Sequence, residues 1–547
     1  MKWALTLATA ALLMSPVIAL DGDPGMHDPS TVVMHEGRFY SYGTGGGLPI
    51  SISDDGWTWR RSGTLMQAVP GGRPGQDVIT RGGNNTWAPD VIRSGDNYFV
   101  YYSAPGTQPK AAIGLLVGKT LDPGAPNYKW EDGGPVVWSD GVEDSNAIDP
   151  GVFRDPTNGT LWLTYGSYFG YIRLVQLDPK TGKRLYPNQK PVNVAINGEA
   201  SIIIFRDGWY YLLMTRGSCC AGANSSYHIR MGRSRKVAGP YLDNIGIDML
   251  QGGGKLFLGS SGRFVGPGHF GLLELGDGVQ KFSLHYEADL DRGGISVLDI
   301  RPLLWRDGWP VGGENFKEGT YQIESVRTGT ALELAVQGVP VGGARGGRGG
   351  GRGAPPGGGR GGPPADGRGA PPGDGRGAPP ADGRGGPPAN VQGGPPDGRG
   401  GGGRGNAPAA PVPAQDAAQV STAWPAGPVD ARLSPYMLQA QQKWTIKPAE
   451  NSGGYPGSPY FRITIAGTER TLAATEDREL VILPAFTGGP EQLWRIDQLA
   501  DGSYRVMPKS VPNSRESLAL SAIGTSMPTL ARFDPASDRQ RWSIKTP

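Results

Sequence analysis

Five strand-like segments recur in the first 312 residues of this 547-residue chain, and they constrain its fold more than any other feature. Each is rich in aromatic and β-branched residues, and Gly, Asn or Asp turn signals precede most of them. Their spacing of about 45 to 75 residues suits one four-stranded blade with a variable loop. The five segments are Arg38–Tyr42, Tyr98–Ser103, Leu161–Tyr165, Trp209–Thr215 and Lys281–Tyr286. This recurrence predicts an all-β fold with a five-bladed β-propeller, while a β-sandwich, which would show denser turns, ranks second.

Three acidic residues stand beside predicted strands. Asp28 and Asp149 each precede a proline, and Glu199 comes just before the apolar run Ile202–Ile204. Taken singly, each acid is typical of a turn residue or a cap. In a closed ring of blades, however, acids at the blade starts meet in one central pocket. A carboxyl group buried there is costly unless it is hydrogen-bonded or has a shifted pKa, which is what a general acid requires.

Three grouped carboxyl groups indicate sugar hydrolysis. Two of them flank a glycosidic bond, one as the acid for the leaving oxygen and the other as a base or nucleophile. A third can keep the acid protonated, because like charges disfavour ionisation. The alternative of another class is a propeller that binds carbohydrate without catalysis, and the presence of all three acids argues against it.

A second β-rich region follows a low-complexity segment. Residues 430–547 contain three Gln-x-Trp triplets, 50 and 48 residues apart, which indicate a threefold repeat. The beginning of the first repeat lies before the low-complexity segment, at Gly319–Leu334, so we expect residues 338–415 to be an insertion within that repeat. Their Gly, Pro, Ala and Arg side chains bury too little surface to offset chain entropy, which predicts disorder. The triplets are Gln442-Lys443-Trp444, Gln492-Leu493-Trp494 and Gln540-Arg541-Trp542.

The charge distribution argues against nucleic acid as a partner. Residues 338–405 hold nine arginines and four aspartates, a net charge of +5, whereas the whole chain carries +3. The remainder is therefore slightly acidic and offers no basic face. The Arg-Gly-Gly run resembles RNA-binding tails, but we favour a spacer or a weak attraction to anionic polysaccharide such as pectin.

The N-terminus predicts export. Lys2 and the apolar run Ala4–Leu13 are typical of a signal peptide over residues 1–19, cleaved near Ala19. We therefore expect a secreted protein, extracellular or periplasmic, with no membrane span in the mature chain and no organic cofactor. The only two cysteines, Cys219 and Cys220, are adjacent; a vicinal disulfide and two packed thiols are both open.

Several motifs occur in an order that is typical of one family. They are His27-Asp28-Pro29-Ser30, Thr86-Trp87-Ala88-Pro89-Asp90-Val91, Asn146-Ala147-Ile148-Asp149-Pro150, Leu163-Thr164-Tyr165-Gly166-Ser167, Cys219-Cys220-Ala221-Gly222 and Gly266-Pro267-Gly268-His269. With them, residues 21–312 resemble the propellers of glycoside hydrolase family 43, and most of all the arabinan endo-1,5-α-L-arabinosidases. The Gln-x-Trp region similarly resembles the ricin-type β-trefoil, a carbohydrate-binding fold. Together with the N-terminal and low-complexity patterns, the resemblance gives the expected domains: a signal peptide at 1–19, a propeller at 20–313 and a trefoil at 314–547 interrupted by 338–415.

The resemblance also implies roles for individual residues. Asp28 would be the general base that activates water, Glu199 the general acid, and Asp149 the carboxylate that orients Glu199 and raises its pKa. The family inverts configuration, which needs carboxyl groups about 6.5–9.5 Å apart. The expected substrate is the α-1,5-linked arabinofuranosyl backbone of arabinan and pectin side chains. The expected sugar contacts are His27, Trp87, Asn146 and Ser167, and the expected metal contact, usually to calcium, is His269.

Three departures from the family patterns leave alternatives open. The family's Glu-Ala-Pro reads Glu199-Ala200-Ser201, and the loop after Ser103 lacks an aromatic residue that is often found there. Hydrolysis by an exo-acting arabinofuranosidase or a β-xylosidase therefore stays open beside endo action. In the trefoil, only the first repeat keeps a carboxylate, Glu333, near the expected sugar pocket, so sugar binding by that region is also open.

Overall fold

The computed structural model describes residues 20–107, 109–142, 144–336 and 417–547. The predicted signal peptide and the predicted insertion at 338–415 lie outside these ranges. Within them, the α-helices are two short segments, α1 (Gln76–Arg81) and α2 (Ala417–Val420). No helix in the described ranges has the length and apolar character needed to cross a bilayer. The remaining helical turns are 3-10 helices at Leu65–Ala68, Gly222–Asn224, Met249–Gln251, Leu290–Arg292, Ser421–Ala423, Ala440–Gln442, Pro490–Gln492 and Asp538–Gln540.

The first part of the chain forms five separate antiparallel sheets, which are the blades of a β-propeller. Blade one comprises β1 (Asp21–Gly22), β2 (Val33–His35), β3 (Arg38–Tyr42), β4 (Pro49–Ser53) and β5 (Thr58–Thr64), with β1 added in parallel to β5. Blade two comprises β6 (Trp87–Ser94), β7 (Asn97–Pro105), β8 (Ala111–Gly118) and β9 (Trp130–Ser139). Blade three comprises β10 (Gly151–Arg154), β11 (Leu161–Tyr165), β12 (Tyr171–Leu177) and β13 (Val192–Ile196). The five-bladed prediction is confirmed by these blades and the next two.

The last two blades repeat the same up-and-down order. Blade four comprises β14 (Glu199–Arg206), β15 (Trp209–Arg216), β16 (His228–Ser234) and β17 (Lys255–Leu258). Blade five comprises β18 (Val265–Glu274), β19 (Gln280–Ala288), β20 (Ile295–Arg306) and β21 (Trp309–Gly312). The five segments singled out in the sequence all lie in β3, β7, β11, β15 and β19, the strands next to the innermost one. These strands read as apolar runs because most of their side chains are buried within or between blades.

One backbone conformation, a positive φ, recurs near the innermost strand of every blade. Every blade has a non-glycine residue with positive φ near its innermost strand: two of them precede β2 and β10, and three lie within β6, β14 and β18. Such conformations cost roughly 1–3 kcal/mol and persist only where the surroundings enforce them. The five residues are Asp28 (φ 47°), Ala88 (40°), Asp149 (56°), Ala200 (49°) and His269 (61°). The same backbone conformation therefore occurs near the innermost strand of each of the five blades.

Hydrogen bonds from the backbone N–H groups of these five residues stabilise the positive-φ conformation. Thr44 Oγ1 accepts from Ala88 N at 2.8 Å, and Ser103 Oγ accepts from Asp149 N at 2.8 Å. Each acceptor belongs to, or follows, the second strand of the preceding blade. The other two acceptors of this kind are Thr215 Oγ1 for His269 N at 3.1 Å and His285 Nδ1 for Asp28 N at 3.1 Å. The exception is Ala200, whose N–H donates to the side chain of Asp149 at 3.1 Å.

The C-terminal region is a second β module, in which one packing motif occurs three times. The indole Nε1 of each Gln-x-Trp tryptophan donates to a leucine carbonyl: Trp444 to Leu332 (2.8 Å), Trp494 to Leu472 (3.1 Å) and Trp542 to Leu520 (2.8 Å). All three tryptophans are fully buried in a common core. The strands are β22 (Gly319–Ser325), β23 (Thr330–Leu334), β24 (Val429–Pro435), β25 (Trp444–Pro448), β26 (Gly454–Tyr455), β27 (Ser458–Pro459), β28 (Phe461–Ile465), β29 (Thr471–Ala474), β30 (Leu480–Leu483), β31 (Trp494–Gln498), β32 (Tyr504–Pro508), β33 (Leu518–Ile523), β34 (Met527–Arg532) and β35 (Trp542–Lys545).

Strands from before and after the low-complexity segment share one sheet in this module. β22 pairs with β25 and β35, and β23 pairs with β24. The module also contacts the propeller. Gly454 N donates to Asp55 Oδ2 of blade one at 2.9 Å, and Trp305 N of blade five donates to Ala500 O at 2.9 Å. The propeller and the described part of the module therefore pack directly on each other.

Candidate active site

Asp28 lies at the channel mouth, held by an alcohol and surrounded by imidazoles. Thr44 Oγ1 donates to its Oδ2 at 2.6 Å, and His269 Nδ1 lies 3.3 Å from its Oδ1. His27 Nε2 is 3.5 Å from Oδ2, and His285 Nδ1 is 3.7 Å from Oδ1. Burial alone would raise the pKa of Asp28, but His27, His269 and His285 outweigh it and hold this pKa well below its ordinary range. Asp28 is therefore an ionised carboxylate.

The two buried histidines beside Asp28 differ in charge. Burial lowers the pKa of His285 to about 3, so its Nδ1 is an unprotonated acceptor for the Asp28 N–H. Burial also disfavours the charged form of His269. The hydrogen bond and charge of Asp28 exceed that effect, so that the pKa of His269 is raised. Asp28 thus forms an ion pair with His269 and a backbone hydrogen bond to neutral His285.

Glu199 begins β14, and two hydroxyl groups donate to its carboxyl group. Ser167 Oγ donates to Oε2 at 2.6 Å, and the Tyr227 hydroxyl donates to Oε1. Only 8% of Glu199 is exposed. Burial raises the pKa of Glu199 to about 7; the Ser167 hydrogen bond opposes this rise, and the charge of Asp28 adds to it. Near neutral pH this carboxyl group therefore still holds a proton in a large share of molecules.

Asp149, at the start of blade three, bonds to both neighbouring blades. Its N–H is bound by Ser103, and its Oδ2 accepts the N–H of Ala200, the residue that follows Glu199. Burial raises the pKa of Asp149 well above its ordinary range, and repulsion from Glu199 adds to the rise. Both effects disfavour the charged form of Asp149.

The residues predicted to contact sugar lie in different settings. His27 faces Cys219 and Cys220, whose Sγ atoms are 3.5 and 3.4 Å from its Nε2, and the two cysteines form a vicinal disulfide. Of the two states left open by the sequence, the structure therefore contains the disulfide. Trp87 is half-buried at the start of β6, one residue before Ala88.

Two other predicted sugar contacts are buried. Ser167 is 6% exposed, and its hydroxyl is bonded to Glu199. Asn146 is completely buried, and neither atom of its amide has a partner among the described residues. Direct sugar contact by these two side chains stays a prediction, whereas the bond from Ser167 to Glu199 is present without a ligand.

Several residues of the site were assigned no role from the sequence. Thr44 and Ser103 accept backbone N–H groups near the innermost strands, Tyr227 contacts Glu199, and His285 contacts Asp28. The available signal was weak: Thr44 and Tyr227 lie just outside strands, and Ser103 and His285 are single polar residues within apolar ones. His285 stands out most, as a histidine within the apolar β19, where only 1% of it is exposed.

The surroundings of His269 do not fit a protein-built calcium site. Calcium takes six to eight oxygen ligands, while His269 offers one ring and its Nδ1 already pairs with Asp28. Among the described side chains, His269 belongs to no cluster of three His, Cys, Asp or Glu residues whose ligand atoms lie close enough to share a metal ion. The closed space that His269 lines with Asp90 and Pro150 measures about 10 Å³, close to the minimum for one water molecule. Calcium therefore stays a prediction for metal analysis to test, and no chemical step below depends on it.

A five-bladed propeller that gathers an ionised aspartate, a protonated glutamate and a bridging aspartate at its channel mouth is the arrangement of a glycoside hydrolase. Comparison with known families agrees. The model for glycosyl hydrolases family 43 matches residues 15–310, more than half of the chain, and the chain belongs to this family.

Two curated relatives and one solved structure illustrate the similarity. The extracellular exo-α-(1→5)-L-arabinofuranosidase ArbA of Cellvibrio japonicus is 33% identical over 323 residues, 56% of this chain and 91% of the relative. The extracellular endo-α-(1→5)-L-arabinanase 1 of Bacillus subtilis is 32% identical over 293 residues, 52% of this chain and 87% of the relative. The structure of Cellvibrio cellulosa α-L-arabinanase complexed with arabinohexaose is 31% identical, with a TM-score of 0.49, and the match covers 53% of this chain and 95% of that one.

Proposed function

We propose that this chain hydrolyses α-1,5-linked L-arabinofuranosyl bonds of arabinan, including the arabinan side chains of pectin. Family membership supports the glycosidase activity, and the names of the relatives support the substrate. The observation that carries the proposal is the pair of opposite protonation states. Asp28 is ionised by its histidines, while burial keeps a proton on Glu199.

In the proposed reaction, Glu199 acts on the leaving glycosidic oxygen and Asp28 acts on the attacking water molecule. Glu199 donates its proton to the glycosidic oxygen as the bond from that oxygen to the anomeric carbon breaks. A water molecule forms the new bond to the same carbon and gives its proton to Asp28. Attack from the opposite face inverts the configuration, which is the outcome we propose for this chain.

Asp149 serves as a positioning residue in this scheme. Its Oδ2 accepts the Ala200 N–H at 3.1 Å, so the carboxyl group of Asp149 sets the backbone direction immediately after Glu199. Proton sharing within the pair also helps to keep Glu199 in its acidic form. Asp149→Asn should therefore change the pH profile as well as kcat, whereas a purely structural role would lower the amount of folded enzyme alone.

The test is arabinose release from debranched arabinan. Asp28→Ala and Glu199→Gln should each lower kcat by at least about 10²–10⁴-fold, the usual contribution of a general acid or base. Glu131→Gln and Asp54→Ala, which alter exposed carboxyl groups (73% and 69% exposed), are the matched controls and should keep full activity. Unchanged sugar release from both site variants would contradict the catalytic assignment and favour a binding protein.

The choice between endo and exo action requires product analysis. Relatives of both kinds match this chain at 32–33% identity. Endo action on linear arabinan yields a ladder of oligosaccharides at early times, whereas exo action yields a single short product. Parallel assays with nitrophenyl arabinofuranoside and nitrophenyl xyloside distinguish arabinan hydrolysis from exo-arabinofuranosidase or β-xylosidase activity.

We also propose that the chain is exported and that its C-terminal module is a ricin-type β-trefoil. Extracellular relatives and the Cys219–Cys220 disulfide support export, because disulfides persist in oxidising compartments. The threefold tryptophan motif supports the trefoil, and the shared sheet supports an insertion at 338–415 within its first repeat.

Sugar binding by this module is a separate prediction. Glu333, the one carboxylate kept near an expected pocket, is buried and accepts from Arg432 Nε at 2.5 Å. A sugar at Glu333 would have to displace Arg432 from this ion pair. Arabinan retention in affinity gels tests the prediction: Glu333→Gln should reduce retention if this pocket binds sugar, and equal retention would contradict a role for Glu333.

A further inference from the structure

A cluster of two cysteines and a histidine lies beside Asp28 and has no role in the proposed proton transfers. Cys219 and Cys220 follow β15, and their Sγ atoms lie 3.5 and 3.4 Å from Nε2 of His27. Within the described part of the chain, the ligand atoms of these three residues lie close enough to share a metal ion. Thiolate sulfur and imidazole nitrogen are the ligands that Zn²⁺ prefers. Because a disulfide has no thiolate, the cluster can bind zinc only after the S–S bond is reduced.

The hydrogen bonds of His27 direct the lone pair of its Nε2 toward the two sulfurs. Ser296 Oγ donates to Glu287 Oε1 at 3.0 Å, so the oxygen of this hydroxyl is available as an acceptor, and it lies 3.2 Å from His27 Nδ1. In the neutral ring the proton therefore lies on Nδ1. Histidines that bind metals usually donate their other ring N–H to a fixed oxygen in this way. The side chain of His27 is 24% exposed, so an ion can reach it from solvent.

The loop that carries the cysteines is held beside His27 by more than the disulfide. Before the cysteines, Ser218 N donates to Ser226 Oγ at 2.9 Å, and after them, Ala223 N donates to Gly293 O at 2.8 Å. These bonds lie on both sides of the cysteine pair and do not involve sulfur. Reduction should therefore leave the loop in place and both sulfurs next to the imidazole. Cys220 is exposed, so a reductant can reach the S–S bond.

The spacing of the three ligand atoms suits a tetrahedral zinc ion. Zn–S bonds of about 2.3 Å and a Zn–N bond of about 2.0 Å place each sulfur about 3.5 Å from the nitrogen at tetrahedral angles. The observed distances from Nε2 to the two Sγ atoms, 3.5 and 3.4 Å, match this separation. Once the S–S bond is broken, the sulfurs need only move apart to about 3.8 Å for one ion to bind both.

We propose that Cys219, Cys220 and His27 form a zinc site when the disulfide is reduced, and that the bound ion inhibits the enzyme. A dithiol reductant supplies two electrons and two protons, so that the S–S bond becomes two thiols and the dithiol becomes a disulfide. Zn²⁺ then displaces both thiol protons into water and takes His27 Nε2 as its third protein ligand.

The position of the ion explains the inhibition. Asp28 Oδ2 lies 3.5 Å from His27 Nε2, so a dication on this nitrogen lies next to the carboxylate that acts on the attacking water in the proposed reaction. A bound cation is the largest local charge in such a site, and it competes for the carboxylate. The inhibition therefore rests on the proposed function, whereas the zinc site itself does not.

Cobalt absorption tests the site without reference to activity. Co²⁺ takes the place of Zn²⁺ at such sites, and thiolate ligands give it an intense charge-transfer band. The full chain is reduced with a phosphine, which takes oxygen from water and yields two thiols and a phosphine oxide, and is then titrated with Co²⁺ after the phosphine is removed. We expect one equivalent of Co²⁺ to produce the band and Zn²⁺ to abolish it. The unreduced protein should give no band.

Variants of the ligands show whether the band comes from this cluster. Cys219→Ser, Cys220→Ser and His27→Ala should each lower the Co²⁺ affinity of the reduced protein at least about tenfold. His228→Ala is the matched control, because His228 Nδ1 lies 3.0 Å from Ser226 O and contacts no sulfur, and its Co²⁺ affinity should equal that of the parent. Circular dichroism confirms that each variant is folded. Equal affinity in all four variants, or a band in the unreduced protein, would overturn the proposed site.

Arabinose release from debranched arabinan tests the inhibition. Saturating Zn²⁺ should lower the rate of the reduced enzyme at least about tenfold, and a zinc-selective chelator should restore it. The enzyme with the intact disulfide should keep its rate at the same Zn²⁺ concentration, as should the reduced double variant Cys219→Ser, Cys220→Ser. Equal inhibition of the reduced and unreduced enzymes would overturn the proposal, because zinc would then act elsewhere. Failure of the proposed function would show separately, as no arabinose release without zinc while the cobalt band still forms.

Discussion

At the residue scale, Asp28 and Glu199 share one channel mouth and yet differ in protonation. Both are acidic side chains largely withdrawn from water, and burial alone would raise the pKa of each. Asp28 has three imidazoles within 3.7 Å, one of them cationic, which reverse the effect of burial. Glu199 has only hydroxyl groups bonded to it, so burial prevails. The immediate partners therefore give two similar groups opposite protonation states, which the proposed roles of base and acid require.

These pKa shifts predict the pH dependence of kcat/KM. Glu199 must be protonated to act, and its pKa is raised to about 7, so kcat/KM should fall as the pH rises through about 7. Asp28 must be ionised, and its pKa is held below the ordinary range, so no loss should occur near pH 4, where an ordinary aspartate titrates. The measurement is kcat/KM for nitrophenyl arabinofuranoside from about pH 3 to 9, with circular dichroism to exclude unfolding. An acidic limb centred near pH 4 in folded enzyme would contradict the charge assigned to Asp28.

The Ser167 hydroxyl should set the position of the alkaline limb. Its hydrogen bond to Glu199 lowers the pKa of the acid, so Ser167→Ala should raise that pKa and move the limb to higher pH. Ser503→Ala is the matched control, since it removes a serine–carboxylate bond of 2.6 Å in an exposed turn of the module. The alkaline limb of the Ser503→Ala variant should stay at the same pH. A shift to lower pH in Ser167→Ala would mean that the hydroxyl favours the neutral acid instead.

At the element scale, one structural feature recurs around the ring: a residue with positive φ whose N–H is bonded by a side chain. A residue with positive φ lies before or within each innermost strand, and in all five blades a side chain from the preceding blade accepts its N–H. In four blades this acceptor lies on or just after the second strand of the preceding blade, whereas in blade four it is Asp149, which precedes the first strand of blade three and bonds the residue after Glu199. A carboxyl group thus serves in blade four where hydroxyl groups or an imidazole serve in the other blades.

Removing one acceptor of the ring should destabilise the fold and disturb the site. Thr215→Val keeps the shape of the side chain but leaves the buried N–H of His269 without its 3.1 Å bond. We expect a loss of about 1–3 kcal/mol in the free energy of unfolding, together with a lower kcat, because His269 pairs with Asp28. Urea denaturation and kinetics measure both. In the control Thr529→Val, whose bond to Arg478 O is exposed, the change should stay within about 0.5 kcal/mol.

At the scale of the whole molecule, a buried ionic network joins the propeller to the C-terminal module. Asp497 of the module is completely buried and lies between Lys281 of blade five (3.5 Å), Arg495 (2.6 Å) and Arg505 (2.9 Å). Arg505 also binds Asp277 of blade five at 2.7 Å. Burial lowers the pKa of Lys281 to about 8 even with Asp497 beside it. Charges buried this deeply across the contact make the module an integral part of the folded chain.

Loss of the central carboxylate should therefore be costly. Asp497→Ala leaves three cations facing one another out of water, and we expect a loss of about 3–5 kcal/mol in the free energy of unfolding. Asp501→Ala, which breaks an exposed 2.7 Å pair with Arg541, should cost no more than about 1 kcal/mol. Thermal unfolding by calorimetry compares the two. Equal melting temperatures would contradict the structural role given to the network.

Much of this architecture follows from patterns that are local in the sequence. Runs of aromatic and β-branched residues, most of them preceded by turn signals, predicted the second strand of every blade, because a strand buried on both faces must be apolar. The Asp-Pro steps and the acid before an apolar run identified Asp28, Asp149 and Glu199. The partners of these acids were harder to identify, because they lie far along the chain: Asp28 N bonds a histidine 257 residues away, and Asp149 N bonds a serine 46 residues away.

The sequence by itself therefore determined the strand content, the fivefold and threefold repeats, and which side chains could carry acid and base chemistry. Only the tertiary structure decided which carboxyl group keeps its proton, which hydroxyl groups fix the blade starts, and where the two β modules meet. The physical reason is that periodicity and turn chemistry act between near neighbours. Burial, Coulomb interaction and hydrogen bonding at the site arise between residues that only the closed ring brings together.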